Sequence, residues 1–278
     1  MPAAFLPDRA LIRVSGAEAE QFLQNLVTTD VTALPAGEAR PGALLTPQGK
    51  ILFDFLISRD GDGFLLETAA GQQADLVKRL TMYKLRAAVT LTTEPEAGVT
   101  VSWGEERDAS ARLDQRFTVA GTMLGRRPGR HAGADDHAYL DLRIAAGIAE
   151  SGADFALQDA FPHDVLMDRN GGVGFKKGCY VGQEVVSRMQ HRGTARRRIV
   201  HVGSETALPA PGTEITAGGK PVGTLGSVSG AGGLAIVRID RVGEALATGV
   251  PVLAGEIPVA VSLPAWSGLD FPTTAEEA

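Results

Sequence analysis

Past Arg198 the helical period of this sequence stops. Short apolar runs at 199–202, 214–216, 222–225, 234–239, 252–253 and 259–263 alternate with Gly/Pro turns almost to the end of the chain. That spacing is the signature of a β-barrel or a sandwich. A domain boundary is therefore expected near residue 195, giving parts 1–195 and 196–278, with residues 273–278 as a disordered tail. The 278 residues suffice for one large core or two to three modest ones.

Before that boundary, helical and strand patterns mix. Residues 9–14 alternate as a strand, and Ser15 followed by Glu18 has the spacing of a capped helix start. Ala19, Phe22, Leu23 and Leu26 then recur at three and four, which predicts a helix over 15–26. The segment Pro47-Gln48-Gly49-Lys50 between apolar runs predicts a hairpin, and Asp60-Gly61-Asp62-Gly63 a second tight turn. A helix is predicted over 72–83, with strands over 88–92, 99–103 and 116–119. A polar loop is predicted over 125–136, a short helix from Tyr139 to the stop at Gly147, and mostly loop from 151 to 175. Interleaved strands and helices of this kind predict an α+β layer with a mainly antiparallel sheet.

Charge is distributed unevenly. Residues 176–198 hold seven Lys/Arg against one acid, Glu184, while the rest of the chain has 20 bases and 32 acids. A net +6 island in a chain that is otherwise −12 suggests an anion site or a partner surface. The island contains the only cysteine, in Lys177-Gly178-Cys179-Tyr180-Val181-Gly182-Gln183-Glu184. Val185, Val186 and Met189 are spaced for a helix beginning near Gly182, so Cys179 is expected just ahead of a helix N-terminus, near two lysines. That setting favours a thiolate, and the loop amides suit a carboxylate or phosphate. The alternative is equally open: a lone Cys acting as a small buried hydrophobe, with Glu184 and Arg188 as an ordinary i,i+4 pair.

Several classes are excluded. One cysteine forms no disulfide framework and fits a reducing compartment. It does not hold a cluster or a structural zinc alone, and the five scattered histidines add no metal spacing. Residues 172–178 have one residue too many for a dinucleotide fingerprint, and no Walker loop exists. The run Arg196-Arg197-Arg198 lacks interleaved aromatics and sits in an acidic chain, so no direct nucleic-acid contact is expected. No apolar run reaches the length of a membrane span and the first residues have no signal-peptide pattern, so a cytoplasmic protein without membrane contact is expected.

The octapeptide around Cys179 resembles the signature of YgfZ-type folate-binding proteins, relatives of the glycine-cleavage aminomethyltransferase. Residues 15–26 with Asp30, 45–54, 83–86 and 142–148 resemble further landmarks of that family, as do Arg188, Arg192, Gly193 and Arg197. The likeness covers about residues 10–265. It implies a GcvT-like, three-part cloverleaf of class α+β, with two α+β subdomains in 1–195 and a C-terminal β-barrel in 196–278. It implies a tetrahydrofolate cofactor in a central channel. It also implies a role in assembling or repairing iron–sulfur clusters, including those of radical-SAM enzymes that modify tRNA, with scaffold or client proteins as partners. Cys179, supported by Lys177, is then the working thiol. Gly178, Tyr180, Gly182, Gln183, Glu184, Arg188 and Arg143 are expected around the folate.

Two positions depart from the aminomethyltransferases, which carry paired acids where this chain has Phe53-Asp54 and a pterin-contacting Glu where it has Ala145. Losing that acceptor removes a charge-assisted hydrogen bond to the ring, so weaker folate binding or another pose is expected. A second reading is a tetrahydrofolate-dependent aminomethyltransferase or demethylase using Asp54 as its acid/base group. A third is an adaptor whose basic segment 196–198 docks an acidic scaffold.

Overall fold

The computed structural model describes residues 2–95, 98–105, 107–131 and 136–272. The expected tail over 273–278 lies outside the described residues, as does part of the expected loop, 132–135. The chain folds into two compact units, each assembled from two stretches: Met1–Tyr139 with Met167–Gln183, and Leu140–Leu166 with Glu184–Ala278.

The first unit is built on a sheet of β1 (Ala3–Leu6), β2 (Arg9–Ser15), β3 (Glu38–Leu45), β4 (Ile51–Asp60), β5 (Gly63–Ala69), β6 (Thr90–Thr93), β7 (Val99–Trp103), β8 (Arg112–Asp114) and β9 (Leu124–Pro128). Their spatial order is β1-β7-β9-β8-β3-β4-β5-β2-β6. Neighbouring strands run antiparallel except β3 and β8, whose parallel pairing of Glu38 with Leu113 joins two halves of the sheet. Period-two alternation sends Phe53, Phe55 and Ile57 of β4 to one face, where they pack with Ile12, Val14, Phe64 and Leu66. Helices α1 (Ala19–Gln24) and α2 (Ala70–Lys84) close that core with Phe22, Leu23, Leu76 and Leu80.

The opposite face carries buried charge. Glu67 accepts from Nε and Nη2 of Arg126 and, at 2.8 Å, from Nε of Arg9. Asp114, fully buried, holds Arg116 at 2.7 Å and Arg126 at 3.3 Å. A cavity of about 20 Å³ lies between Leu56, Ser58, Leu65 and the Arg112 and Arg126 side chains, room for a single water. Burial by itself would raise the pKa of Glu67, but the Arg126 and Arg9 charges and hydrogen bonds prevail and bring it down to about 2. A carboxylate depressed in the folded state stabilises it above the unfolded value, and that contribution is lost as pH falls through the folded value. Stability is thus expected to fall by a few kcal/mol between about pH 4.5 and pH 2. Acid unfolding followed by circular dichroism checks this, with Glu67→Gln flattening the slope.

The second unit contains β10 (Arg197–Gly203), β11 (Glu214–Ala217), β12 (Lys220–Ser229), β13 (Gly232–Arg238), β14 (Val252–Ala254), β15 (Ile257–Pro258) and β16 (Ala260–Ser262), in the order β15-β14-β11-β12-β13-β10-β16. β15 and β16 stand at opposite edges of this sheet yet are separated by one residue, Val259. The sheet must therefore curl until its edges meet, which is the curvature of a barrel. Val200, Val202, Ile215, Leu225 and Val237 fill the interior.

Four local expectations need correction. The helix expected from Ser15 begins at Ala19, because Ser15 is still a strand residue paired with Thr90. Residues 116–119 are not a strand. They lie in α3 (Gln115–Val119), capped by the Asp114 carboxylate, which accepts from the Arg116 amide. The polar stretch after Met123 opens with β9, paired to β7 and β8. The helical period also returns late. After α4 (Asp136–Ala146) and α5 (Gln183–Arg192), α6 (Ile239–Ala247) puts Ile239, Val242 and Ala245 into the barrel core.

Candidate functional site

The cysteine loop follows residues 167–175, which are threaded against the segment after α1. Thr28 Oγ1 donates to Gly172 O at 2.7 Å and accepts from the Ala43 amide, while the Gly174 amide donates to Thr28 O at 2.8 Å. This places Lys177 over the same segment. Its ammonium donates to Val27 O at 2.6 Å and Thr29 O at 2.8 Å, and the side chain is only 9% exposed as a residue. Nζ also lies 5.2 Å from the centroid of the Tyr180 ring. Burial lowers the Lys177 pKa to about 8, partly offset by the Asp30 carboxylate. Lys177 thus acts as a clamp on two backbone carbonyls.

The far end of the loop is fixed with equal firmness. Gly182 has φ of +79°, and a Cβ there would fall 2.5 Å from Thr46 O, in the β3–β4 turn. Only glycine combines that backbone with that approach. Val181 packs on the main core, and Tyr180 is buried, which pushes its hydroxyl pKa up to about 12. Gln183 closes the loop on itself: its amide donates to Tyr180 O, and its side-chain Oε1 accepts from the Tyr180 amide at 3.4 Å. Between these anchors Cys179 is exposed, so it is not the small buried hydrophobe of the alternative reading. Gly178 has open space where a Cβ would stand. The loop presents one thiol outward on a backbone held at both ends.

The other expected site residues have separate environments. Asp54, half-buried on β4, accepts from Gln72 Nε2 at 3.2 Å. Glu184 and Arg188 pair with each other across one turn of α5 in solvent. Arg143 lies in the second unit, where its guanidinium donates to Ile148 O, the Asp154 carboxylate and the Ser227 hydroxyl. Asp154 also accepts from the amides of Glu150 and Ser227, both at 2.8 Å.

The basic run is corrected too. Arg198 is buried and donates to His163 O, and Arg197 pairs with Asp159 at 3.0 Å, so 196–198 is not a free cationic patch. Sequence reasoning missed Val27 and Thr29 as partners of Lys177. They act through backbone carbonyls, which leave no side-chain signature.

A clamped loop carrying a single outward thiol, on an α+β sheet unit followed by a barrel, defines the class: a GcvT-like fold with a cysteine site. Glycine cleavage system aminomethyltransferase T from Bartonella henselae shares the fold, with a TM-score of 0.69 over 95% of this chain and 85% of that one at 18% identity. The family model for the GCVT N-terminal domain matches residues 9–109, and the CAF17 C-terminal beta-barrel domain matches 196–269. Among relatives, the mitochondrial iron–sulfur cluster assembly factor IBA57 homolog of Pyricularia oryzae is 32% identical over 90% of this chain and 75% of its own. The human IBA57 is 30% identical over 98% and 85%, respectively. The chain belongs to the IBA57 family of iron–sulfur cluster assembly factors. The expectation of a cytoplasmic protein is overturned by the same relatives, which are named as mitochondrial. No helix among the described residues is long and apolar enough to cross a membrane.

Proposed function

We propose that this chain assists iron–sulfur cluster assembly or repair by offering the Cys179 thiolate as one ligand to a cluster shared with a scaffold or client protein. The observation that carries this reading is the exposure of Cys179 between two anchors, the Lys177 clamp and the Gly182 contact. Iron–sulfur clusters are held by several thiolates, so a chain with one cysteine completes the set with a partner's ligands. The thiol gives up its proton as it binds iron. The loop supplies position, because a ligand held in place loses little freedom when the partner arrives. The run 177–184 supports a finer placing with the YgfZ-type branch, and with it a role toward radical-SAM clients.

Tetrahydrofolate is kept as a proposed ligand on the sequence resemblance alone. Arg143 and Gln183 are spent on protein groups, and Glu184 pairs with Arg188 in water, so these four do not fit as its cradle.

The test is a transfer assay. A cluster-loaded scaffold protein is mixed with an apo four-iron client in the presence of this chain, and the client's activity is followed. Cys179→Ser is expected to lower the transfer rate at least tenfold while its urea unfolding curve stays unchanged. Transfer at the wild-type rate would reject the role of the thiol.

A further inference from the structure

The turn that ends α2 presents a surface that the cysteine loop does not use. Leu85 has φ of +48° and ψ of −104°, a conformation that bulky side chains rarely take. Its side chain is turned to water, 87% exposed, and one turn back along the helix Met82 is 62% exposed. The bend is held in this form from the other side. The Ala88 amide donates to Glu18 Oε2 at 2.6 Å, and the Ala87 amide bonds back to Lys84 O at 2.8 Å. Gly16 lies so close that a Cβ there would meet Ala88 O at 2.2 Å. Backbone strain held by its surroundings, with an apolar side chain presented outward, is the arrangement found at binding surfaces.

Cations flank the two apolar residues along the sequence. Residues 70–89 contain Lys78, Arg79, Lys84 and Arg86 against a single acid, Asp75, in a chain of net charge −6. The side chains of Lys78, Lys84 and Arg86 form no hydrogen bond or ion pair with any described residue, whereas Arg197 and Arg198 of the longer basic run are engaged. Glu18, the nearest acid in this bracing, is bonded to the Ala88 amide. An exposed apolar pair flanked in sequence by cations that pair with no acid among the described residues complements an acidic protein surface with an apolar centre. Two apolar side chains are too few for stable insertion into a bilayer, and the patch lacks the exposed aromatics used to stack bases.

We propose that Met82 and Leu85, with Lys78, Lys84 and Arg86 flanking them in the sequence, form the docking surface for an acidic protein partner. Resting on the function proposed above, that partner is the scaffold that carries the cluster. The surface sets the partner's position, and the thiol supplies the ligand.

The experiment measures binding of the full chain to a purified acidic iron–sulfur scaffold protein in its apo form, by calorimetry at low and at high salt. Wild type is expected to bind, more weakly as salt rises. The triple variant Lys78→Glu, Lys84→Glu, Arg86→Glu is expected to bind at least tenfold more weakly. Leu85→Gly relieves the positive φ, so it is expected to raise the melting temperature while weakening binding several-fold. A purely structural role for Leu85 would not separate those two readouts. Wild-type binding by the triple variant and by Leu85→Gly overturns the docking surface, as does no binding by wild type. Equal or tighter binding of the wild type to phosphatidylserine vesicles overturns it in favour of a lipid surface. If docking fails while Cys179→Ser still lowers cluster transfer at least tenfold, the proposed function stands without this surface.

Discussion

Arg143→Leu is expected to destabilise the second unit by about 3–5 kcal/mol, because it leaves the fully buried Asp154 carboxylate without its cation. The substitution also removes donors to Ile148 O and the Ser227 hydroxyl, whose partner atoms lie 5 and 84 residues away in sequence. The measurement is a urea midpoint lowered at unchanged slope, the signature of lost stability rather than of altered compactness. Arg143→Lys should recover little of the loss, since an ammonium lacks the planar fork that reaches three acceptors at once. A residue kept for a dissociable ligand would behave differently. Its loss would cost under about 1 kcal/mol of stability, the usual scale for a side chain away from buried networks.

The second large effect is expected at Gly182. Gly182→Val forces a β-branched residue to φ of +79° and drives its Cβ to 2.5 Å from Thr46 O, a backbone atom that has no side-chain freedom with which to retreat. Strain and clash together should cost about 3–5 kcal/mol, or release the loop from the β3–β4 turn. In the second case the protein stays folded and Cys179 loses its fixed position. Proteolysis near residue 180 should then rise while far-ultraviolet circular dichroism is preserved. A variant with wild-type stability and wild-type protease resistance would show that Gly182 anchors nothing.

Much of the fold was legible because it rests on local periodicity. The β3–β4 hairpin follows from Pro47-Gln48-Gly49-Lys50, and α5 begins where Gly182 and the Val185, Val186 and Met189 spacing place it. The barrel follows from short runs at regular intervals. Where local signals conflicted, tertiary context decided. Arg116-Phe117-Thr118-Val119 has strand-like composition, yet the Asp114 cap and burial of Phe117 make it helical. In α6 Gly243 weakens the helical pattern, and barrel packing of Ile239, Val242 and Ala245 overrides it.

The site was legible only in part, for the same physical reason. Cys179 and its flanking glycines are a contiguous motif. The contacts that give them meaning are not: Lys177 reaches Val27 across 150 residues, through a carbonyl that every residue possesses. The role expected for Arg143 came from the family resemblance, and that for 196–198 from charge. Charge says nothing about whether a guanidinium faces water or a buried carboxylate, and the fold turns Arg143, Arg197 and Arg198 inward or onto acids.

In the proposed function, Cys179 itself ligates the shared cluster. The most direct measurement of this ligation is the rate of iodoacetamide alkylation of Cys179, read by mass spectrometry, in the free chain and in the cluster-loaded complex with a scaffold protein. A cluster-bound thiolate is expected to be alkylated at least tenfold more slowly, with full reactivity returning when a chelator removes the iron. Equal alkylation rates with the cluster demonstrably present would show that Cys179 is not a ligand.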